Sequence, residues 1–124
     1  MKAKDLMIGD LVYYIHTEDG IAPYKEVICI QAEDLCRDAC IIETHYEPIP
    51  LTPEILEKNF EKKTFFGLYD DYFDLDIREY SDGIYIVTYH SCEMNIPDQT
   101  VHVSWVHELQ HFMRHCGITL NIEV

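Results

Sequence analysis

The sequence has few basic residues, no Cys-x-x-Cys pair and no long apolar run. Nine lysines and arginines stand against 23 aspartates and glutamates, which gives a formal net charge of −14. Both halves share the deficit, with 4 basic and 10 acidic residues in positions 1–50 and 5 and 13 in positions 51–124. Nucleic acid and anionic membrane surfaces are held mainly through clustered Lys and Arg, so the composition disfavours both as direct partners. It suits a basic protein partner.

Two features of the sequence indicate the cellular compartment of the protein: it has no long apolar run, and its number of cysteines is odd. The first residues, MKAKDLMIGD, lack the apolar core of a signal peptide, and no run is long enough to span a bilayer. We therefore expect a cytoplasmic protein. Its five cysteines are then expected to be reduced thiols, with Cys29 and Cys116 buried as small hydrophobic residues.

The N-terminal part of the chain predicts short strands. Apolar, β-branched and aromatic runs occur in LMIGDLVYYIH, YKEVICIQ and CRDACIIETHY, with turn residues between the first two. Three short strands with a Gly-Asp entry resemble small SH3-like β-barrels. The 124 residues, 48% of them hydrophobic, are enough for one compact domain, in which 1–50 and 51–124 could form two lobes.

The second part predicts a helix followed by a hairpin. Thr52 is a suitable helix cap, Pro53 suits the first helical position, and Asn59 is expected to end the helix in a left-handed conformation. The segment DYFDLDIREYSDGIYIVTYHS alternates apolar and polar residues around Asp82-Gly83, which predicts an antiparallel hairpin.

The C-terminal part predicts a loop, an amphipathic helix and a last strand. EMNIPDQ reads as the loop, Ser104 as the helix cap, Gly117 as the helix end and ITLNIEV as the strand. The fold class is therefore α+β: an SH3-like barrel or sheet, a short helix, a hairpin, a helix and a final strand.

Two aspartates of the hairpin are expected to share one strand face. Asp74 and Asp76 alternate with apolar residues and lie beside Tyr72 and Arg78. The arrangement indicates either a cation site or a solvated strand face. The spacing of a calcium-binding loop is absent, which favours the solvated face.

The clearest motif is His-Glu-x-x-His, at His107, Glu108 and His111 in WVHELQHFMRHCG. On a helix, this spacing places both histidines on one face. In zinc hydrolases they bind Zn²⁺ while the glutamate acts as the general base. The sequence thus offers Glu108 as a catalytic residue and zinc as a cofactor.

Three features weigh against this zinc site. A third ligand is not apparent after His111. His115 lies about 12 Å from His107 along the helix axis, and upstream only His90 or His102 could serve. The histidines also fall opposite an apolar stripe of the helix and are expected to be exposed. That stripe predicts a core of Trp105, Leu109, Phe112 and Met113.

Three segments carry a resemblance: MKAKDLMIGDLVYY, PIPLTPEILEKNF and VHELQ. In this order they resemble short uncharacterised proteins of gut Bacteroidetes, their phages and their mobile elements. In these relatives the helix often has Gln in place of Glu108 and Asn in place of His111. The resemblance therefore implies neither catalysis nor a cofactor.

The leading hypothesis is a non-enzymatic accessory or interaction protein that binds a basic protein. A small HExxH zinc hydrolase is the alternative, with metal ligands His107 and His111. A third hypothesis is an acidic inhibitor that mimics DNA.

Overall fold

The computed structural model describes residues 1–93 and 95–124. The fold is α+β, as expected, with two antiparallel sheets of three and five strands and short helices. The chain divides into two compact units, Met1–Ile49 and Pro50–Val124. That they act as one domain stays a prediction. In the described part of the chain, no helix is long and apolar enough to cross a membrane.

The first unit is built around an antiparallel sheet in which β1 is central. Its elements are a 3-10 turn Ala3–Asp5, β1 Leu11–His16, β2 Tyr24–Cys29, α1 Ala32–Leu35, α2 Ala39–His45 and β3 Tyr46–Pro48. The strand order is β2-β1-β3. The described strands do not close into a barrel, so the SH3-like detail stays a prediction.

One face of this sheet carries the core of the first unit. The buried cluster contains Leu6, Val12, Ile30, Ile42 and Tyr46. The Tyr46 hydroxyl donates a 2.7 Å hydrogen bond to a carboxylate oxygen of Asp34. Burial, followed by this hydrogen bond, raises the pKa of Tyr46.

The strand predicted in CRDACIIETHY is wrong, because that segment forms α2. Asp38 precedes the helix and its side chain accepts a 2.8 Å hydrogen bond from the Cys40 amide. This cap satisfies an amide that a helix start otherwise leaves open, and Ile42 is the buried residue of the helix. The third strand follows the helix instead, at Tyr46–Pro48.

The second unit contains the larger sheet. Its elements are α3 Pro53–Asn59, β4 Glu61–Lys62, β5 Phe66–Tyr69, β6 Phe73–Ser81, β7 Ile84–Ser91, β8 Gln99–Val103 and α4 Val106–His115. The strands follow one another in sequence order across the sheet. The loop predicted at 93–99 ends one residue earlier, because Gln99 begins β8, and Met94 within it lies outside the described residues.

The predicted hairpin is confirmed as β6 and β7. Leu75 and Ile77 of β6 are buried, as is Val87, which pairs with Ile77. Gly83 has a φ of 74°, a conformation that favours glycine in a tight hairpin turn. The inner face of the hairpin therefore belongs to the core of this unit, and its polar residues point the other way.

The start of α3 agrees with the sequence, but its end does not. The Thr52 side chain accepts a hydrogen bond from the Ile55 amide, and Pro53 occupies the first turn. Asn59 was expected to end the helix in a left-handed conformation, but it is the last helical residue and Phe60 continues in extended conformation.

The C-terminal segment also differs from expectation. Gly117 ends α4 with a φ of 76°, as predicted, but residues 118–124 form no strand. The segment is held by the Asn59 side chain, which donates to the Glu123 carbonyl at 2.7 Å and accepts from the Glu123 amide at 2.7 Å. The Asn59 side chain thus supplies the hydrogen bonds that a neighbouring strand would otherwise give to Glu123.

The cysteines differ from expectation in their burial. All five are free thiols, but Cys29 is exposed and Cys116 is only half-buried. Cys29 ends β2, an edge strand of the small sheet, and no residue of this strand is buried.

We expect Asn59→Ala to destabilise the protein by about 1–2 kcal/mol, because it removes both hydrogen bonds to Glu123 and one to the Ile55 carbonyl. Asn121→Ala, an exposed change in the same segment, is the matched control. Urea unfolding of both variants measures the effect. Equal midpoints would show that the Asn59 contacts do not stabilise the fold.

Candidate functional site

The helix that carries the His-Glu-x-x-His motif starts one residue later than expected. Trp105, rather than Ser104, is its N-cap residue, and α4 begins at Val106. A carboxylate oxygen of Glu108 accepts hydrogen bonds from the Ser104 amide at 3.0 Å and the Trp105 amide at 3.2 Å. Glu108 therefore caps the start of its own helix, where a negative charge is also favoured by the helix dipole.

The expected exposure of the histidines is wrong for His107. Its side chain is 6% exposed, and its Nδ1 atom is fully buried. His111 is half-buried, and the two rings meet edge to face with centroids 5.5 Å apart. The motif thus brings both rings together, as its spacing predicts, but partly inside the protein.

Trp105 was expected in the core but is 37% exposed. Trp105 has extended backbone angles and forms an isolated bridge with Pro50, so it does not follow the helical angle of 100° per residue. The buried face of α4 is displaced towards His107 and Gln110. It consists of Val106, His107, Leu109, Gln110 and Met113.

The other histidines named by the sequence lie elsewhere in the second unit. His90 and His102 are exposed residues of β7 and β8, and His115 is exposed at the end of α4. Among residues 1–93 and 95–124, no group of three or more His, Cys, Asp or Glu side chains is arranged to hold a metal ion.

A second candidate site is the side of the five-stranded sheet that faces away from the buried residues of β6 and β7. We call it the outer face. It is formed by alternate residues of the five strands, and none of them is buried except Gly67, which has no side chain. The residues are Glu61, Gly67, Tyr69, Asp74, Asp76, Arg78, Tyr80, Ile86, Thr88, His90, Thr100 and His102.

Asp76 lies near the middle of the outer face and is oriented by Tyr69. The Tyr69 hydroxyl donates a 2.9 Å hydrogen bond to an Asp76 carboxylate oxygen. Burial, followed by this hydrogen bond, raises the pKa of Tyr69 to about 12. A Cβ atom at Gly67 would lie 2.7 Å from the Tyr69 hydroxyl oxygen and would collide with the Leu75 carbonyl, so the glycine makes room for this contact.

Arg78 forms the next part of the outer face. Its guanidinium carbon lies 5.9 Å from the centre of the Phe65 ring. Phe65, Asp76, Arg78 and Thr88 surround a depression of about 240 Å³. Its lining combines a carboxylate, a guanidinium, a hydroxyl and an aromatic ring, and its volume suits a single side chain better than a drug-sized ligand.

Two histidines lie on either side of this region. The His90 Nδ1 is hydrogen-bonded to an Asp98 carboxylate oxygen, and His90 lies opposite Asp74 across the hairpin. His102 stacks on the Tyr80 ring with centroids 5.3 Å apart.

The outer face carries more acidic than basic groups. Its strands contribute three carboxylates and one guanidinium, Asp98 adds a fourth carboxylate at the rim, and the Lys63 ammonium lies 4.0 Å from the centre of the Tyr69 ring. Among the described ion pairs, none involves Asp74, Asp76 or Arg78. Carboxylates that stay partly exposed and lack an ion-pair partner are available to a cation from outside.

Sequence reasoning identified the two aspartates and Arg78 but missed the residues around them. Tyr69, Gly67 and Phe65 lie in KTFFGLY, to which no element was assigned. The aromatic residues on both sides of a glycine are a signal for a strand at which another group approaches closely.

Comparisons of the chain with protein-family models, with curated proteins and with solved structures found no match.

We expect Glu108→Ala to lower the free energy of unfolding by about 1 kcal/mol, because it removes the acceptor for two amides at the start of α4. Glu108→Gln retains one carbonyl oxygen and should lose less. Glu57→Ala, an exposed change on α3, is the control for thermal unfolding. An unchanged melting temperature for Glu108→Ala would contradict the capping role.

The pKa of His90 is raised above its ordinary value of 6.5, first by the hydrogen bond to Asp98 and then by the charges of Asp98, Asp74 and Asp76. The pair therefore stabilises the fold below the unfolded pKa and loses this effect as the pH rises through the folded pKa. NMR titration of the imidazole should show a midpoint above 6.5 that falls in Asp98→Asn. Asp82→Asn, in the hairpin turn, should leave it unchanged. A midpoint insensitive to Asp98→Asn would refute the pairing.

Proposed function

We propose that the protein is a non-enzymatic interaction protein whose outer face binds a basic segment of a protein partner. The observation that carries this proposal is the set of partly exposed carboxylates, Asp74 and Asp76 foremost, that no described ion pair neutralises. A net charge of −14 adds a long-range attraction for basic molecules.

The physical character of such binding follows from the exposure of these groups. Charges at an exposed interface are screened by salt beyond about 10 Å at 0.1 M ionic strength. Complementary charge at such a surface mainly increases the association rate and selects the partner. The partner is thus a basic protein segment rather than nucleic acid or an anionic membrane, which the same charge repels.

The resemblance noted in the sequence supports the biological setting of this proposal. A short protein related to those of gut Bacteroidetes, their phages and mobile elements would act as an accessory protein in the cytoplasm. Its first unit would be a relative of SH3-like barrels, a class that hosts many interaction modules.

A zinc-dependent hydrolase is the alternative, and the contact between the rings of His107 and His111 favours it, with centroids 5.5 Å apart. In that case His107 and His111 would bind zinc and Glu108 would act as the base. Glu108 accepts hydrogen bonds from two backbone amides, which speaks against this role. These bonds hold its carboxylate at the start of the helix. One equivalent of zinc that survives dialysis of untagged protein, measured by elemental analysis, would support the hydrolase.

A DNA-mimicking inhibitor is a third candidate, favoured by the repeated carboxylates along β6. A mimic binds the DNA site of a basic protein and therefore competes with duplex DNA. Displacement of duplex DNA from a basic DNA-binding protein separates this function from recognition of a basic segment alone.

The proposal is tested with poly-L-lysine as the basic probe and poly-L-glutamate as the negative probe. We expect the double variant Asp74→Asn/Asp76→Asn to bind poly-L-lysine about fivefold more weakly than the natural chain, since each exposed pair contributes up to about 1 kcal/mol. The variant Asp71→Asn/Asp82→Asn removes the same charge from loop and turn positions and is the matched control.

Binding is measured by fluorescence anisotropy at low and at physiological ionic strength, because the effect should decrease with salt. Equal weakening in both double variants would mean that only the total charge matters. The outer face would then not be the binding site.

A further inference from the structure

The outer face presents its charges in a fixed order along β6. Asp74, Asp76 and Arg78 are alternate residues, opposite His90, Thr88 and Ile86 of β7. The residues between them, Leu75 and Ile77, are buried on the other side of the sheet. The order along the strand is therefore negative, negative, positive.

The spacing of these charges is that of an extended chain. A strand rises about 3.4 Å per residue, so alternate side chains on one face are separated by about 7 Å. An extended peptide has the same repeat and directs every second side chain to the same side. Two adjacent basic residues in such a peptide would point in opposite directions, and only one could reach the face.

We propose that the outer face recognises an extended partner segment of the pattern basic-x-basic-x-acidic, read in either chain direction. This inference rests on the proposed function and names the partner chemistry of the same site. The two basic side chains pair with Asp74 and Asp76, and the acidic side chain pairs with Arg78.

The surroundings of Asp76 select the middle position of the segment. Asp76 borders the depression of about 240 Å³, and its carboxylate is oriented by the Tyr69 hydroxyl at 2.9 Å. A basic side chain there contacts the Phe65 ring with its apolar stem and meets the carboxylate with its charged end. Arginine suits this position, because its planar guanidinium can form two hydrogen bonds with a carboxylate.

Arg78 sets the register of the segment. A third basic residue at this position would meet a guanidinium that no described ion pair neutralises, and like charges in contact disfavour binding. A partner with an unbroken basic run is therefore a poorer ligand than one with an acidic residue at this step.

The experiment compares peptides with cores Arg-Ser-Arg-Ser-Glu, its reversed order, and Arg-Arg-Ser-Ser-Glu, which has the same composition. Titration of the ¹⁵N-labelled full chain at low ionic strength follows the amides of Gly67 and Thr88. We expect one of the alternating peptides to bind about fivefold more tightly than the contiguous one, because only one basic residue of the latter reaches the face.

A charge exchange tests the register separately. Arg78→Glu should reverse the preference at the third position, so that Arg-Ser-Arg-Ser-Arg becomes the better ligand. Asp82→Asn, which retains a residue suited to the hairpin turn, should keep the original preference.

The outcomes separate this inference from the proposed function. Equal affinities for alternating and contiguous peptides, with both weakened by Asp76→Asn but not by Asp82→Asn, overturn the pattern and leave the basic partner in place. Basic peptides that bind no better than their glutamate counterparts overturn both.

Discussion

The register of the β6–β7 hairpin is the constraint on which the candidate site depends. Side chains alternate across a strand, so a slip of one residue would bring Asp74 and Asp76 into the core and expel Leu75 and Ile77. Burying an unpaired carboxylate costs several kcal/mol, which excludes the slipped register. The burial of Leu75 and Ile77 therefore holds the aspartates on the outer face at a fixed spacing. The core and the site are two consequences of the same alternation.

The helix α4 shows how little a short motif determines by itself. The spacing of His107 and His111 brings the rings together on any helix, and it does so here. The chemistry depends on where the remaining groups lie. Glu108 accepts hydrogen bonds from two backbone amides at the helix start, and His107 is buried beside the core residues of the helix. A glutamate three residues after an N-cap position is also the pattern of a helix cap, and that is the role its contacts support.

The acidic residues raise the net negative charge of the chain, and some of them also lie together on the outer face. Asp74 and Asp76 are partly exposed to water, and no described ion pair involves them. The hydroxyl of Tyr69 holds Asp76 in one orientation, and Gly67 leaves the space that this contact requires. Such preorganisation lowers the entropic cost of binding a cation from a partner.

Local sequence determined the features that depend on short-range physics. The alternation of the hairpin, its Asp82-Gly83 turn, the Thr52 cap and the Gly117 stop each follow from one strand period or one backbone conformation. Tertiary structure decided the rest. The apolar run before Tyr46 suits a helix or a strand, and packing around Ile42 selects the helix. Residues 118–124 have the composition of a strand but form none, and the Glu123 backbone pairs with the Asn59 side chain instead. The buried side of α4 was likewise decided by tertiary packing. Tyr69 and Asp76 lie on different strands, and their contact exists only once the sheet has formed.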